Sequence, residues 1–345
     1  MHEKRKQWAC FRRGAAAFCA ALLLCTGSAM AARAEKPAGT TAGRMLIPAG
    51  HTVGIKMYAR GVMVVGLPEG VTPARQCGLE KGDVILRCGG TNITSTEQFQ
   101  SMLQSSGGES LELQIQRNCD SRTLSVVPQE NEDGAYAIGA WIRDSMAGIG
   151  TVTYYDPATK TFGALGHGIT DVDTAVLMPF SAGSVLPSTV KAVKRGEAGS
   201  AGELRGDFVL DEELGTLDAN TAAGIFGRME AEDAAWLRGQ ALPVAKKGEV
   251  KPGRAVIRSN VQGDEVREYE IEILKVQPNA ADGRDLVLSV TDPALIAATG
   301  GIVQGMSGSP ICQNGKIVGA VTHVLLNDPT RGYGIFIETM LDAAK

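Results

Sequence analysis

The chain has 345 residues, 44% of them hydrophobic, which is enough apolar material for two domains with cores of their own. Aromatics make up only 5% while glycine numbers 43, a mix that favours short strands broken by turns over long helices. The formal net charge of −4 gives no footprint for nucleic acid, and four histidines without a C-x-x-C pair argue against a zinc site, so no metal or other cofactor is expected.

Residues 1–34 read as an export segment. Lys4, Arg5, Lys6, Arg12 and Arg13 form a basic start, and residues 14–26 are apolar. Ala29-Met30-Ala31 and Ala32-Arg33-Ala34 each offer a small-x-small cleavage site. The apolar run is shorter than the roughly 20 residues of a spanning helix. Cleavage is therefore favoured, with retention as a membrane anchor the alternative, and in both cases the bulk of the chain crosses a membrane. Past this segment Cys77, Cys88, Cys119 and Cys312 remain, without the spacing of a compact disulfide framework. A Cys77–Cys88 bridge stands against free buried thiols.

Residues 45–129 form the first compact unit. Gly61-Val62-Met63-Val64-Val65-Gly66 is a short apolar strand, and Gly78-Leu79-Glu80-Lys81-Gly82-Asp83-Val84-Ile85 follows as a turn and strand. Ser95 or Thr96 caps an expected helix with Phe99, Met102 and Leu103 on one face, and residues 111–116 alternate as a half-buried strand. This order resembles a PDZ domain, whose G-L-x-x-G-D-x-I turn is matched here from Gly78 to Ile85. The resemblance implies capture of an extended peptide as an added strand. Arg60, Gly61 and Val62 would form its carboxylate-binding loop, and Gln98 and Met102 would line its groove. The plainer reading makes Val62 and Val64 core residues.

Asn131-Glu132-Asp133-Gly134 marks a break, and residues 135–345 form the second domain. Residues 149–155 and 161–165 read as a hairpin delivering Gly166-His167-Gly168. Residues 269–276 alternate in part. Asn314-Gly315 between two apolar runs suits a type I′ hairpin turn. Residues 231–239 and 337–344 are the candidate helices. The class expected overall is mainly β, with a PDZ domain followed by a trypsin-like double β-barrel.

Chemistry concentrates in Gly305-Met306-Ser307-Gly308-Ser309-Pro310, the G-x-S-G-x-P form that surrounds the nucleophile of trypsin-like proteases. Ser307 would attack, the N–H groups of Gly305 and Ser307 would hold the oxyanion, and Ser309 is a decoy. A glycine-flanked His167 at a strand end can present its ring to a cleft, which favours it as base over His323, whose place after the serine suits a cleft lining. Lys316, just past the hairpin turn, would be carried away from Ser307 and fits poorly as a base. For the supporting acid, spacing leaves Asp171, Asp173, Asp207, Asp211 and Asp292 open.

The segments Trp141-Ile142-Arg143-Asp144-Ser145-Met146-Ala147-Gly148-Ile149-Gly150-Thr151, Ala164-Leu165-Gly166-His167-Gly168-Ile169, Val303-Gln304 with the serine motif, and Gly319-Ala320-Val321-Thr322-His323-Val324 resemble the stage IV sporulation protein B serine peptidase family. That resemblance implies a catalytic set of His167, Asp292 and Ser307, although an aspartate fifteen residues before the serine departs from the usual trypsin-like layout. It further implies export into the space between the two membranes of a developing forespore. There the enzyme cleaves itself and then a membrane-bound regulator of an intramembrane protease, and so activates a late mother-cell sigma factor. A non-catalytic PDZ scaffold with a decayed protease domain is the competing reading. A housekeeping protease of the high-temperature-requirement class is disfavoured, because those carry PDZ after the protease.

Overall fold

The computed structural model describes residues 43–345, except 231, 238, 279, 281 and 282. The expected export segment lies outside the described residues. Among them no helix is long and apolar enough to cross a membrane.

The described chain opens with β1 (Met45–Pro48) and β2 (Thr52–Gly66). It divides into two compact units, residues 60–144 and residues 43–59 with 145–345. The boundary thus differs from the one that composition suggests. Residues 45–59 belong with the second unit because β1 pairs with a later strand through Ile47–Tyr155, and β2 pairs with another through Val53–Pro187 to Ala59–Phe180.

The first unit holds α1 (Pro73–Gln76), β3 (Val84–Cys88), β4 (Thr91–Asn92), α2 (Thr96–Ser105), β5 (Leu111–Arg117), β6 (Asp120–Val126), β7 (Gln129–Glu130) and β8 (Tyr136–Ala137). Its sheet runs β2-β3-β5-β6. Ser95 caps α2 by accepting the Gln98 N–H at 3.1 Å, as expected, and Phe99 and Leu103 are buried beneath it. The alternation of β5 buries Leu113 and Ile115 in the same core as Val62, Val64 and Ile85. The Gly-Asp turn has a structural cause: Asp83 is fully buried and chelated by Arg117, with Nε–Oδ1 and Nη2–Oδ2 both at 2.6 Å. Such a bidentate pair offsets the cost of burying the carboxylate. Cys77, Cys88 and Cys312 are free thiols.

The second unit contains two β-barrels. β9 (Trp141–Asp156), β10 (Thr161–Ala164), β11 (Phe180–Lys194), β12 (Glu203–Phe208), β13 (Gly215–Thr221), β14 (Gly224–Arg228) and β15 (Leu242–Pro243) come first. The path β9-β10-β14-β13-β11-β2 closes on itself because β2 also pairs with β9. The expected hairpin is present, with Asp156 opposite Thr161. The second barrel is closed by β16 (Gly253–Ser259), β17 (Arg267–Val276), β18 (Leu286–Val290), β19 (Pro310–Gln313), β20 (Lys316–Leu325) and β21 (Asp328–Phe336), in the order β16-β17-β18-β21-β20-β19. Asn314 and Gly315 join β19 to β20 with φ of 52° and 72°, the left-handed pair that a type I′ turn requires. α3 (Pro293–Thr299) precedes the serine loop, and α4 (Ile337–Ala343) closes the chain where a helix is expected. A helix is expected over 231–239; among the described residues there, 232–236 are turns and 237 a bend, held by burial of Ala234 and Leu237.

Each barrel has its own core, and a third apolar cluster joins them. Leu46 of β1 with Tyr154 and Phe226 of the first barrel there meet Ile317, Ala320 and Ile335 of the second. This seam carries the chemistry.

Candidate active site

Ser307 sits on the loop that leads from α3 into β19. Met306, fully buried in the second barrel's core, anchors the loop from beneath and leaves Ser307 half-buried. Gly305 and Gly308 have φ of +97° and +98°, a left-handed backbone that glycine adopts at little cost. At Gly308 space matters as well, since a Cβ would fall 2.1 Å from the Thr151 carbonyl oxygen and 2.6 Å from the Leu165 nitrogen. The serine loop is thereby pressed onto the first barrel. Two hydrogen bonds hold it there, Thr151 N–H to the Ser307 carbonyl at 3.0 Å and Thr151 Oγ1 to the Gly305 carbonyl at 2.7 Å.

The amides of the loop divide into two sets. Those of Gln304, Met306, Gly308 and Ser309 donate to Gly202, Val303, Val321 and Met306 respectively. Among the described residues, no acceptor is recorded for the N–H groups of Gly305 and Ser307. These are the two donors expected for the oxyanion, and they remain uncommitted on either side of a buried methionine.

His167 arrives from the first barrel. β10 ends at Ala164, and Leu165 and Gly166 both take φ of +68°. A left-handed leucine is strained, and here it turns the chain sharply so that His167 faces the seam. Gly166 packs beside the Thr322 and Ala320 side chains of β20. The His167 ring lies 5.1 Å, centroid to centroid, from that of His323, tilted by 37°. Its Nδ1 is 2.9 Å from the Gly168 carbonyl oxygen. A carbonyl can only accept, so Nδ1 carries the proton and Nε2 is the basic nitrogen of the neutral ring. Burial pushes the His167 pKa below its ordinary value, with the Gly168 hydrogen bond opposing in part.

The Ser307 hydroxyl donates to the Thr322 carbonyl at 2.9 Å, one residue from His323. Ser307, His167 and His323 are therefore gathered around one short stretch of β20. Ser309, the decoy, is fully buried with its hydroxyl turned away from solvent.

Asp292 is placed differently. Its Oδ1 accepts the N–H groups of Ala294 and Leu295 at 2.9 and 3.0 Å, and its Oδ2 lies 3.3 Å from the Glu270 nitrogen. It is the N-cap of α3, with Pro293 at the first helical position. The Asp-Pro pair signals that cap in the sequence. The ring proton of His167 meets the Gly168 carbonyl in the place where a triad has its carboxylate. Of the other acids, Asp171 is buried in its own turn, accepting from the Asp173 and Thr174 amides, and the Asp207 position pairs with Thr189 on β11. Lys316 bonds Glu249 at 2.8 Å. The carbonyls of Thr322 and Gly168 carry no signal in the sequence beyond their place in the two histidine motifs.

In the first unit Val62 is a fully buried core residue paired with Ile85, so its side chain lines no loop, while Arg60 is exposed. Gly61 has φ of +85° and packs onto the Ile85 carbonyl, where a Cβ would lie 2.3 Å away. Gln98 is spent on local bonds to Thr94 and Asn92.

Two closed barrels with a glycine-walled serine and a histidine at their seam define a serine peptidase. Residues 134–341 match the family model of the SpoIVB peptidase S55, more than half of the chain, and the protein belongs to that family. Residues 71–117 match a PDZ domain. The chain is similar to the zinc metalloprotease RasP of Oceanobacillus iheyensis, 43% identical over 61 residues, 18% of this chain and 14% of that protein. It is also similar to a putative zinc metalloprotease of Clostridium perfringens, 38% identical over 68 residues, 20% of each. The chain thus spans about a fifth or less of these relatives. Among solved structures it is similar to the active form of the Rv3671c protease of M. tuberculosis, 12% identical with a TM-score of 0.34, covering 59% of this chain and 73% of that one. The PDZ domain of an SdrC-like protein of Listeria monocytogenes is 20% identical with a TM-score of 0.23, covering 24% and 87%. Among the described residues no group of three side chains could hold a metal ion.

Proposed function

We propose that this peptidase is a sporulation signalling endopeptidase that cleaves itself and then a membrane-bound regulator of an intramembrane protease, exported to the space between the forespore membranes. The serine chemistry rests on one observation above the rest: the Gly305 and Ser307 amides stand uncommitted beside a serine whose hydroxyl rests on the Thr322 carbonyl, one residue from the His323 that packs against His167. The signalling role rests on the motif resemblance.

In the proposed mechanism the Ser307 hydroxyl leaves the Thr322 carbonyl and gives its proton to His167 Nε2 as Oγ attacks the scissile carbonyl. The carbonyl oxygen becomes negative and takes two hydrogen bonds, from Gly305 and Ser307, each worth a factor of about 10²–10³ in rate. His167 passes its proton to the leaving amine. Water, deprotonated by the same nitrogen, then releases the acyl group. The Gly168 carbonyl keeps the ring in the required tautomer throughout.

The test is incubation of the purified full chain beside Ser307→Ala, with the N-termini of all fragments sequenced. Self-cleavage is expected for the wild type alone. Equal fragmentation of both proteins would refute the reading.

A further inference from the structure

In the first unit, the ground beside α2 that a PDZ fold offers to its ligand is already occupied by residues of the same chain. Residues 60–66 of β2 pair on one side with β3, through Val62–Ile85 and Met63–Val84. β2 also pairs with β9. Trp141, the first residue of β9, lies over Gly66, where a Cβ would fall 2.5 Å from ring carbon Cε3. Ile142 packs onto the core that contains Phe99 and Leu103. Two residues on, the Asp144 carboxylate accepts the Thr96 N–H at 2.8 Å, at the open N-terminus of α2. The approach to this stretch is fastened too. The Ile138 carbonyl accepts the Ala74 N–H at 2.8 Å, and the Tyr136 N–H donates to Gln104 at 2.9 Å.

These contacts reproduce, within one chain, what a peptide does when it lies beside a helix of such a unit: a ring over the sheet strand, a side chain on the core, and an anion at the helix N-terminus. We propose that residues 141–144 are an internal ligand of the PDZ unit. They hold the strand-addition slot closed and define what opens it, an extended peptide with an aliphatic residue two positions before an acidic one. Such a peptide binds by displacing Ile142 and Asp144. A tethered strand competes at an effective concentration in the millimolar range, so a free peptide succeeds only by matching these contacts or once the tether is loosened. The inference rests on the PDZ assignment and not on the peptidase chemistry.

The experiment uses the full chain carrying Ser307→Ala, so that no ligand is cleaved and the result is independent of catalysis. The probe is a fluorescent, C-terminally amidated nonapeptide with the sequence of residues 138–146, followed by anisotropy. Weak binding is expected to the Ser307→Ala chain, and binding about tenfold tighter once Asp144→Lys is added, because the internal copy has lost its hold on α2. The same peptide with lysine at the aspartate position should bind neither protein. Equal affinity for both proteins, no binding to either, or undiminished binding of the lysine peptide would each overturn the proposal. Should Asp144→Lys fail to fold, hydrogen exchange on the Ser307→Ala chain decides. Saturating peptide must accelerate exchange at residues 141–144, and unchanged protection with peptide bound would overturn it.

Discussion

Ser307 gives its hydroxyl hydrogen to the main-chain carbonyl of Thr322, 2.9 Å away. The nucleophile therefore rests on β20, the strand that also brings His323 against His167. Attack requires the hydroxyl to leave that carbonyl and turn to the imidazole as acceptor. Leaving it gives up about 1 kcal/mol of hydrogen bonding, a small share of an enzymatic barrier.

The first prediction concerns pH. His167 works as a base only when neutral, and burial holds its pKa below 6.5. The sign follows directly: at pH 6.5 more than half the molecules are in the basic form. The acid limb of kcat/KM against pH should have its midpoint below 6.5, and a midpoint above that value would contradict the desolvation of the ring.

Asp292 provides the second. Asparagine caps a helix about as well as aspartate, whereas alanine loses about 1 kcal/mol. Because α3 leads into the serine loop, Asp292→Ala should lower both stability and turnover, while Asp292→Asn should stay within about tenfold of wild-type turnover. A loss near 10⁴-fold in Asp292→Asn, with unchanged melting temperature, would instead make its charge the supporting acid of the triad.

Gly308 and Gly315 form a matched pair for the third. An alanine methyl at 308 meets backbone of Thr151 and Leu165, neither of which can yield cheaply. At 315 the methyl meets open space, and only the left-handed backbone is unfavourable, by roughly 1–2 kcal/mol. Gly308→Ala should abolish turnover and cost at least about 3 kcal/mol in denaturant unfolding. Gly315→Ala should remain active.

His51 gives the fourth. Its ring packs edge-on to Trp236 at 4.6 Å, and burial, then the Arg258 charge, lowers its pKa to about 4, against a partial opposing pull from Asp264. A folded pKa below the unfolded 6.5 contributes stability that is complete above pH 6.5 and is lost as pH falls towards 4. The whole amounts to about 3 kcal/mol, some 2 of it lost by pH 5. In Ser307→Ala protein, the melting temperature should fall between pH 7 and pH 5, and His51→Phe should remove most of that fall.

The elements written in local sequence were legible. Ser95 as a helix cap, Asn314-Gly315 as a hairpin turn and the glycines around Ser307 each need only a few neighbours to act. The unit boundary was not, because β2 and β9 are continuous strands whose residues join different units, and continuity leaves no mark in composition. Asp-Pro announces the helix start that Asp292 caps. The backbone acceptors, Thr322 and Gly168, have no side-chain signature at all.

The joint at Gly308 and Thr151 has a consequence for how this enzyme can fail. Nucleophile and base hang from different barrels, so each barrel can be fully formed, with every strand in register, while the pair is too far apart to react. Circular dichroism would register such a molecule as native. Turnover would not, which makes catalysis the stricter gauge of whether the two halves have seated, and makes a molecule with loosened halves harmless to its neighbours until they close.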